Sequence, residues 1–301
     1  MLSESVKAYI NMRRACGYKL QHEAKSLQNF VRFCSSRSED YVRSSTAIEW
    51  AGLARQTVQR AHRLAVVGRF ARYARSDDSR HEVPPDIFGP DKRQRPVPYI
   101  LSQEEVARLI QEAARLGSHP IQGKTYSTLF GLLVCTGLRI SEAINLRYSD
   151  ITQDGLMIRN TKFRKSRLVP LHGSARVALE NYLTQRRVFE TLDDHVFISS
   201  NANPLNPSDV SHVFRNLAQC IGIPRGPGLP RAMTHSLRHT FAVASLQACP
   251  DGRDQIARHM LALSTYLGHV SVATTYWYLQ ATPQLMQGIA TQCETFVGAA
   301  K

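Results

Sequence analysis

The segments THSLRHTFA (residues 234–242) and YLGHVSVATTYWYL (residues 266–279) determine how the rest of this chain is interpreted. Together they hold two histidines, an arginine and a tyrosine in a fixed order: His235, Arg238, His269 and Tyr278. Arginine presents a rigid, permanently charged fork that matches phosphate oxygens, and tyrosine supplies a nucleophilic oxygen. This set of side chains predicts covalent chemistry on a phosphodiester.

A second basic element, CTGLRISEAINL, lies upstream at residues 135–146 and has Arg139 at its centre. Glu142 follows three residues later, so it can reach the same side of a helix and hold the guanidinium group. A plain surface pair is an equally simple interpretation. Because Arg139 also follows Gly137, where a helix is predicted to end, another alternative is that it binds the last carbonyl groups of that helix.

The composition is that of a globular protein. The chain has 301 residues, enough for one large domain or two ordinary ones, and 43% of them are hydrophobic. No apolar run reaches membrane-spanning length, and the N-terminal segment lacks the basic-then-apolar order of a signal peptide, so a soluble, cytoplasmic protein is predicted. The six cysteines form no CxxC pair, which favours buried free thiols in a reducing compartment over a zinc site or a disulfide framework.

The net charge of +14 and the pI of about 9.8 indicate a polyanionic partner. Residues 1–98 hold 18 basic and 10 acidic residues, so the N-terminal third is the more basic part of the chain per residue. We therefore predict double-stranded DNA as the partner. An anionic membrane surface is the weaker alternative, and no membrane partner is expected.

The N-terminal third has the pattern of several helices, and arginines are concentrated in one of them. Residues 55–75 include six arginines and no acidic residue, and a basic helix face of this kind can lie along a phosphate backbone. DNA contact is predicted for five of them: Arg55, Arg60, Arg63, Arg69 and Arg72. An ordinary solvated face is the alternative. The proline-rich, charged segment that follows predicts a linker at residues 81–98, where Lys92, Arg93 and Arg95 could also touch backbone phosphates.

The remainder of the chain predicts a second domain built mainly of helices. SQEE at residues 102–105 is a capping box that starts a helix, with Ser102 as the cap and Glu105 three residues later. Three short apolar segments predict the strands of a small sheet: LMIRN at 156–160, RLVPL at 167–171 and HVFIS at 195–199. Later helices are predicted at residues 208–221, 235–248 and 254–267.

These elements predict a mainly α fold with a small antiparallel sheet, of the α+β class. We divide the chain into a helical N-terminal DNA-binding domain at residues 1–80, the linker at residues 81–98, and a domain that carries the chemistry at residues 99–301. The last of these includes an amphipathic tail helix that is predicted to follow Tyr278.

Four segments, in this order, resemble motifs of the tyrosine recombinase (phage integrase-like) family: TGLRISEAINLRYSDI, TKFRKSRLVPL, HSLRHTFA and LGHVSVATTYWYL. The resemblance covers residues 100–290, and the last segment is similar to transposon-associated members. The N-terminal part resembles the family's helical, SAM-like core-binding domain in position, size and charge. The resemblance implies a tyrosine-recombinase catalytic domain whose catalytic residues are Arg139, Lys162, His235, Arg238, His269 and Tyr278.

The chemistry of these side chains agrees with the roles that the resemblance implies. Arg139 and Arg238 would hold the non-bridging oxygens of a phosphodiester, whose negative charge increases during the reaction. His269 would donate a hydrogen bond to one of these oxygens. Lys162 would protonate the leaving 5′-oxygen as a general acid, and Tyr278 would attack phosphorus.

His235 would shuttle a proton to or from the tyrosine, since the reference pKa of histidine lies near neutrality. The spacing of His235 and His239 also suits a metal on a helix. No third ligand stands out, and Arg238 between them would repel a cation, so neither a metal nor another cofactor is predicted. His239 is expected to pack against the site or to brace it.

Two of the six assignments have rivals in the sequence. Arg164 and Lys165 lie in the same basic turn as Lys162, and we assign them to DNA binding. Tyr276 is the rival of Tyr278, but the two side chains lie about 200° apart on a helix, so they cannot both face one site.

The sequence therefore predicts a site-specific DNA recombinase that cuts and rejoins strands through a covalent 3′-phosphotyrosine, for integration, excision or transposition of a mobile element. The resemblance also implies a homo-tetramer on two DNA sites, a Holliday junction and a tail that docks on a neighbouring protomer, with accessory recombinases or DNA-bending proteins as further partners. A type IB topoisomerase-like relaxing enzyme and a DNA-binding protein with a decayed site are the alternatives. The intact set of six residues argues against decay.

Overall fold

The computed structural model describes most of the chain: residues 2–89, 97–117, 119–159, 166–189, 193–249, 253–269 and 271–280, without the side chains of residues 253, 279 and 280. It separates into two compact units, Met1–Arg95 and Pro96–Lys301. Within the described ranges, no helix has both the length and the apolar character that crossing a membrane requires.

In its described part, the first unit contains four helices: α1 (Leu2–Ala15), α2 (Gln21–Ser35), α3 (Ser44–Gly52) and α4 (Thr57–Ala74). Phe30 and Phe70 are fully buried in its core, and Trp50 is almost fully buried. The rings of Phe30 and Trp50 meet edge to face, with centroids 5.2 Å apart, which is an arrangement that aromatic pairs prefer. This contact fastens α2 to α3.

Residues 81–88 pack against the first unit, although the sequence predicts a linker from residue 81 onwards. His81 is buried, and its Nδ1 accepts a hydrogen bond from the backbone N–H of Val42 at 3.1 Å. The backbone N–H of Glu82 donates to the carbonyl oxygen of Val42, and Pro84 is buried. Prolines exclude regular elements here, but an extended segment can still be anchored by single backbone bonds and side chains.

In its described residues, the second unit contains eight helices: α5 (Gln103–Ala114), α6 (Pro120–Thr136), α7 (Ile140–Ile144), α8 (Gly173–Arg186), α9 (Pro207–Cys220), α10 (Thr234–Gln247), α11 (Arg253–Leu267) and α12 (Ala273–Gln280). A 3₁₀ turn at Tyr148–Asp150 leads into the strands β1 (Ile151–Thr152), β2 (Gly155–Ile158) and β3 (Arg167–Val169). The predicted fold class, mainly α with a small antiparallel sheet, is confirmed. The capping box is also present, since the Ser102 side chain accepts from the N–H of Glu105 and the Glu105 carboxylate accepts from the N–H of Ser102.

The sheet has the order β1–β2–β3, and both pairs are antiparallel. Two of the predicted strands correspond to β2 and β3, whereas β1 is too short to leave a pattern in the sequence. The prediction of a strand at residues 195–199 is wrong, because this segment forms only isolated bridges, such as the one between His195 and Arg147. Its three apolar residues at 196–198 are nevertheless fully buried. A short buried apolar run has the same sequence signature whether or not it joins a ladder.

Helix α6 is central to the second unit and packs against α5, α8 and α10. It buries Leu129, Phe130 and Leu133 almost completely. The helix ends at Gly137, whose left-handed backbone (φ 60°) lets its N–H donate to the carbonyl oxygen of Leu133. The chain turns there into α7, and Arg139 lies immediately before the first residue of that helix.

Gly137→Ala is expected to destabilise the second unit. A Cβ atom here would lie 2.5 Å from the ring of Phe241 and 2.9 Å from Leu267, in a backbone conformation that alanine rarely adopts. Gly222 is a matched control, since its φ is +81° and the space around it is open. Urea unfolding should show a loss of about 1–2 kcal/mol for Gly222→Ala and about 1–3 kcal/mol more for Gly137→Ala. Equal losses of unfolding free energy in the two variants would mean that Phe241 and Leu267 move aside without a measurable energetic cost.

The cysteines are less buried than the sequence predicts. Cys34 is buried and Cys249 is intermediate, whereas Cys16, Cys135 and Cys220 are exposed, and Cys293 lies outside the described residues. The prediction of buried thiols is therefore confirmed for Cys34 and wrong for the three exposed residues. Apolar neighbours in sequence do not place a helical residue in the core, because adjacent residues point to different sides of a helix.

Candidate active site

Arg139 is held by a carboxylate at the start of α7. Its backbone N–H donates to Glu142 Oε2 at 2.9 Å, and its Nη1 donates to Oε1 of the same group at 2.8 Å. The pairing that the sequence suggested is therefore present. The Nη2 of Arg139 donates to the carbonyl oxygen of Gly268 at 3.0 Å, which connects α7 to the segment after α11. The side chain is 28% exposed, so part of it is accessible to a ligand.

A second arginine, Arg167 of β3, binds the same carboxylate, and sequence reasoning missed it. Its Nη1 and Nη2 donate to the two oxygens of Glu142 at 3.1 and 2.8 Å, and its Nε donates to the carbonyl oxygen of Tyr266 at 2.8 Å. Both side chains of the pair are largely buried. The available signal is a basic residue at the first position of an otherwise apolar predicted strand, since a charge is rarely buried without a partner.

Arg238 lies on α10 and is only 2% exposed. Its Nη1 donates to the carbonyl oxygen of Gly137 at 2.6 Å, and its Nη2 donates to that of Leu267 at 2.7 Å. These carbonyls close α6 and α11, where such groups lack helical partners and carry partial negative charge. Arg238, rather than Arg139, is thus the residue that donates to Gly137. Burial, followed by the charge of Arg139, lowers the pKa of Arg238 to about 10, so the guanidinium is charged at neutral pH.

His269 is positioned by a Schellman motif that ends α11. The N–H of Gly268 donates to the carbonyl oxygen of Thr265, and the N–H of His269 donates to that of Ser264, both at 2.9 Å. Gly268 has the left-handed φ of 66° that the motif needs. The His269 ring then reaches α12, where its Nδ1 lies 2.9 Å from the hydroxyl of Thr275.

Tyr278 lies on α12 with its hydroxyl inside the site. The residue is 2% exposed, and its Oη lies 3.1 Å from Nδ1 of His239 on α10. Its ring is nearly parallel to that of His269, with centroids 6.3 Å apart. Tyr276, the rival nucleophile, is 54% exposed and lies on a different side of the helix. The geometry therefore favours Tyr278 as the tyrosine of this site.

Three histidines lie around the tyrosine, and all three have lowered pKa values. The rings of His235 and His239 meet edge to face, with centroids 4.5 Å apart. Burial, followed by the charges of Arg238 and Arg139, lowers the pKa of His269 to about 4 and also lowers that of His235, which keeps an exposed edge. Burial, followed by His235 and Arg238, lowers the pKa of His239 to about 3. At neutral pH each ring is neutral, with one donor and one acceptor nitrogen.

Five of the six predicted catalytic residues converge in the second unit from separate parts of the chain. Arg139 and Gly268 are 129 residues apart, and Arg238 and Gly137 are 101 residues apart, yet each pair is joined by a hydrogen bond. Three basic residues that the sequence placed in the turn between the strands lie outside the described residues: Lys162, Arg164 and Lys165. Their roles stay predictions.

The arginines predicted to contact DNA from the first unit fall into two groups. Three are exposed: Arg55, Arg69 and Arg72. The other two are part-buried. Nε of Arg60 donates to the carbonyl oxygen of Ala54 at 2.8 Å, and the guanidinium of Arg63 lies over the ring of Trp50 at 5.0 Å. They help to hold α4 against the preceding segment. Three further predicted residues lie outside the described ranges: Lys92, Arg93 and Arg95.

One group of three potential metal ligands occurs in the described part of the chain: Asp193, Asp194 and His195, whose ligand atoms lie within 4.8 Å of one another. His195 Nδ1 lies 2.5 Å from Asp193 Oδ1, and Asp194 pairs with Arg147. Protein partners thus account for this group, and none of its members belongs to the predicted catalytic set. His235 and His239 are in no such group among the described residues.

The Glu142 carboxylate has an unusually low pKa. Burial raises it, but hydrogen bonds from the Arg167 side chain and from the backbone and side chain of Arg139 outweigh burial, and the pKa falls to about 2. A carboxyl group whose pKa is lower in the folded state contributes stability above its unfolded pKa. That contribution is lost as the pH falls through the folded value.

Glu142→Gln is expected to remove this stabilisation and to loosen Arg139. A pKa lowered from 4.5 to about 2 corresponds to about 3 kcal/mol at pH 7. Urea unfolding should give a difference between wild type and variant that is constant above about pH 5 and shrinks below it. Glu112→Gln is the control, because Glu112 pairs with Arg115 at the surface and should contribute less than about 1 kcal/mol. If the difference in unfolding free energy between wild type and Glu142→Gln persists at low pH, the lowered pKa of Glu142 is not its source.

A model of the phage integrase family matches residues 100–284, more than half of the chain. The chain belongs to the phage integrase family. It is a tyrosine-type site-specific recombinase, and neither the relaxing-enzyme alternative nor the decayed-site alternative is favoured.

Relatives of this phage integrase family member match most of its length. It is 36% identical over 295 residues to the putative integrase/recombinase y4rB of Sinorhizobium fredii (strain NBRC 101917 / NGR234), and the match covers 94% of both proteins. It is 31% identical over 224 residues to the tyrosine recombinase XerD of Caulobacter vibrioides, covering 72% of this chain and 69% of that protein. Its fold is similar to the Tn1549 transposon integrase in complex with transposon right end DNA, with a TM-score of 0.64, 19% identity and coverage of 96% and 98%.

Proposed function

We propose that this recombinase cleaves and rejoins DNA through six groups: Arg139, Lys162, His235, Arg238, His269 and Tyr278. One observation carries the proposal. A buried tyrosine hydroxyl and two arginines meet in one unit, and backbone carbonyl oxygens fix both guanidinium groups. Groups that are fixed before the substrate arrives need little reorganisation during the reaction.

Arg139 and Arg238 would stabilise the scissile phosphate. In phosphoryl transfer, negative charge spreads over the non-bridging oxygens, and preorganised positive donors stabilise it. Each Nη atom of arginine carries two hydrogens, so one bond to a carbonyl leaves a second hydrogen on the same atom. His269 would add a neutral donor. Its Nδ1 lies 2.9 Å from the Thr275 hydroxyl, and in the tautomer that accepts from this hydroxyl the ring hydrogen is on Nε2.

Tyr278 would form the covalent intermediate. Its Oη attacks phosphorus, the bond from phosphorus to the 5′-oxygen breaks, and a 3′-phosphotyrosine and a 5′-hydroxyl remain. Lys162 would give the leaving oxygen its proton. A 5′-hydroxyl of another strand then attacks the phosphotyrosine, so rejoining needs no nucleotide cofactor. Side-chain cations neutralise the phosphate in this scheme, and no metal ion takes part.

The assembly in this proposal is a homo-tetramer on two double-stranded DNA sites. Each chain supplies one nucleophilic tyrosine, whereas two duplexes contain four strands, so complete exchange needs four chains. Two strands would exchange first and form a Holliday junction. We place the outcome among integration, excision and transposition of DNA elements. The relative y4rB, named a putative integrase/recombinase, supports this because it matches nearly the whole chain. Tail docking, accessory proteins and a cytoplasmic location stay predictions.

The DNA target can be found by covalent capture. The protein is incubated with a library of randomised duplexes that carry nicks, so that the short 5′ fragment diffuses away after cleavage and the adduct accumulates. Adducts that resist detergent are isolated, their DNA is sequenced, and the modified peptide is identified by mass spectrometry. The expected result is one family of target sequences attached to Tyr278.

A plasmid with two copies of the captured site then tests for recombination. Exchange of the flanking sequences is expected, in the presence of a chelator as well as without it. No adduct, attachment at a residue other than Tyr278, or relaxation of the plasmid without exchange would overturn the proposal.

A further inference from the structure

His239 is in direct contact with the proposed nucleophile, although it was not in the predicted catalytic set. Its Nδ1 lies 3.1 Å from Tyr278 Oη, and the two ring centroids are 5.4 Å apart. His239 follows Arg238 on α10 and is therefore fixed by the same helix that supplies the buried guanidinium. Trp277 packs on its ring from α12, with centroids 5.3 Å apart. The imidazole is thus held by packing on a rigid element, with one nitrogen aimed at the hydroxyl.

We propose that His239 accepts the hydroxyl proton of Tyr278 during strand cleavage and returns it during strand joining. The inference rests on the proposed function, in which Tyr278 is the nucleophile. Sequence reasoning assigned this shuttle to His235, but the contact with the hydroxyl is made by His239. The ring of His235 packs on that of His239, with centroids 4.5 Å apart, and His235 is exposed. His269 has its Nδ1 turned to Thr275 instead.

The proton balance of the step is complete without a further reactant. As the bond between Oη and phosphorus forms, the hydroxyl proton moves to Nδ1 of His239, and the leaving 5′-oxygen takes a proton from the general acid. Strand joining reverses both transfers. The step requires a neutral ring with its hydrogen on Nε2, so that Nδ1 is an acceptor and the hydroxyl is the donor.

Burial, together with the charge of Arg238, keeps the His239 ring in this accepting form in the free protein at neutral pH. Among the described residues, the titratable groups that face it are His235 and Arg238 on its own helix, His269 after α11, and Tyr278 on α12. Burial and the three basic groups among them lower the pKa of His239. A bound phosphodiester brings the opposite charge into the same space, which favours the protonated ring. Substrate binding therefore makes the base stronger where it is used.

His239→Asn separates proton transfer from positioning. The asparagine oxygen lies close to the place of Nδ1 and can accept the same hydrogen bond, but an amide does not take up a proton at neutral pH. Single-turnover cleavage of the captured, nicked site should slow by about 10²–10³-fold. The variant's rate should then rise about tenfold per pH unit up to the pKa of tyrosine, about 10, while the wild-type rate stays nearly level.

A substrate with sulfur in place of the scissile 5′-oxygen identifies the half of the reaction that is affected. Sulfur leaves without a proton, so this substrate should restore strand cleavage by the Lys162→Ala variant. It should not restore cleavage by the His239→Asn variant. Cleavage by His239→Asn within about threefold of wild type would reduce His239 to a packing residue, since general base catalysis contributes at least about 10²-fold. If the sulfur substrate restores cleavage by His239→Asn, His239 acts in the protonation of the leaving oxygen instead. Either result overturns the inference.

Folding and the proposed function are checked in the same assays. Thermal melting and DNA binding of His239→Asn should match wild type. If the variant is unfolded, His239→Ala with added imidazole replaces it: restored cleavage supports the inference, and no restoration at any imidazole concentration overturns it. An adduct that forms without Tyr278 would instead refute the proposed function, whatever the behaviour of His239.

Discussion

Tyr278→Phe is expected to abolish the covalent protein–DNA adduct, with a fall in strand cleavage of more than about 10⁴-fold. Phenylalanine keeps the buried ring but lacks the oxygen that bonds to phosphorus. The measurement is single-turnover cleavage of a nicked site, followed on a denaturing gel. DNA binding should be unchanged, because the ring lies within the unit at 2% exposure.

Tyr276→Phe is the matched control, since it removes the same atom two residues away on the same helix. Tyr276 is 54% exposed, and its removal should leave adduct formation at the wild-type rate. An adduct that survives Tyr278→Phe and disappears with Tyr276→Phe would reverse the assignment of the nucleophile.

The variant should also remain folded, which makes the result interpretable. Tyr278→Phe loses the hydrogen bond to His239, and such a bond contributes about 0.5–1.5 kcal/mol to stability. Urea unfolding should therefore show a modest change. Unfolding of the whole second unit in the variant would be visible in the same measurement, which therefore distinguishes a folding defect from a chemical one.

Sequence patterns predicted the helices well, because their signals are local. The capping box at Ser102 is present, and α10 begins and ends within one residue of its prediction at residues 235–248. The prediction of a strand at residues 195–199 is wrong because strand pairing is not a local property. Whether an apolar run pairs with a neighbour depends on distant backbone, and β1 contains only two residues.

The order of the site residues was also readable, but their contacts were not. Glu142 and Arg167 are 25 residues apart, and His239 and Tyr278 are 39 residues apart. No periodicity connects such pairs. The sequence could therefore suggest that Arg139 has a carboxylate partner three residues away, but not that the same carboxylate binds a second arginine. Nor could it show that the tyrosine hydroxyl meets His239 rather than His235.

Arg238→Lys is expected to lower strand cleavage by about 10²–10³-fold, the usual effect of removing one preorganised donor. Lysine keeps the charge, but it is a point donor without the planar fork. It cannot reach the carbonyl oxygens of Gly137 and Leu267 together with a phosphate oxygen, as the guanidinium can. One carbonyl would lose its partner, so the unfolding free energy should also fall by about 1–3 kcal/mol.

Two comparisons separate the catalytic loss from the loss of stability. Arg115→Lys alters an exposed arginine of the same unit and should change neither quantity. A methylphosphonate at the scissile position removes one of the charged oxygens that Arg238 would stabilise. The difference in cleavage rate between Arg238→Lys and wild type should therefore be smaller on that substrate. If the difference in cleavage rate is the same on both substrates, Arg238 only holds α6 and α11 together. A smaller difference, in a variant that is still folded, requires the buried guanidinium to act on the phosphate itself.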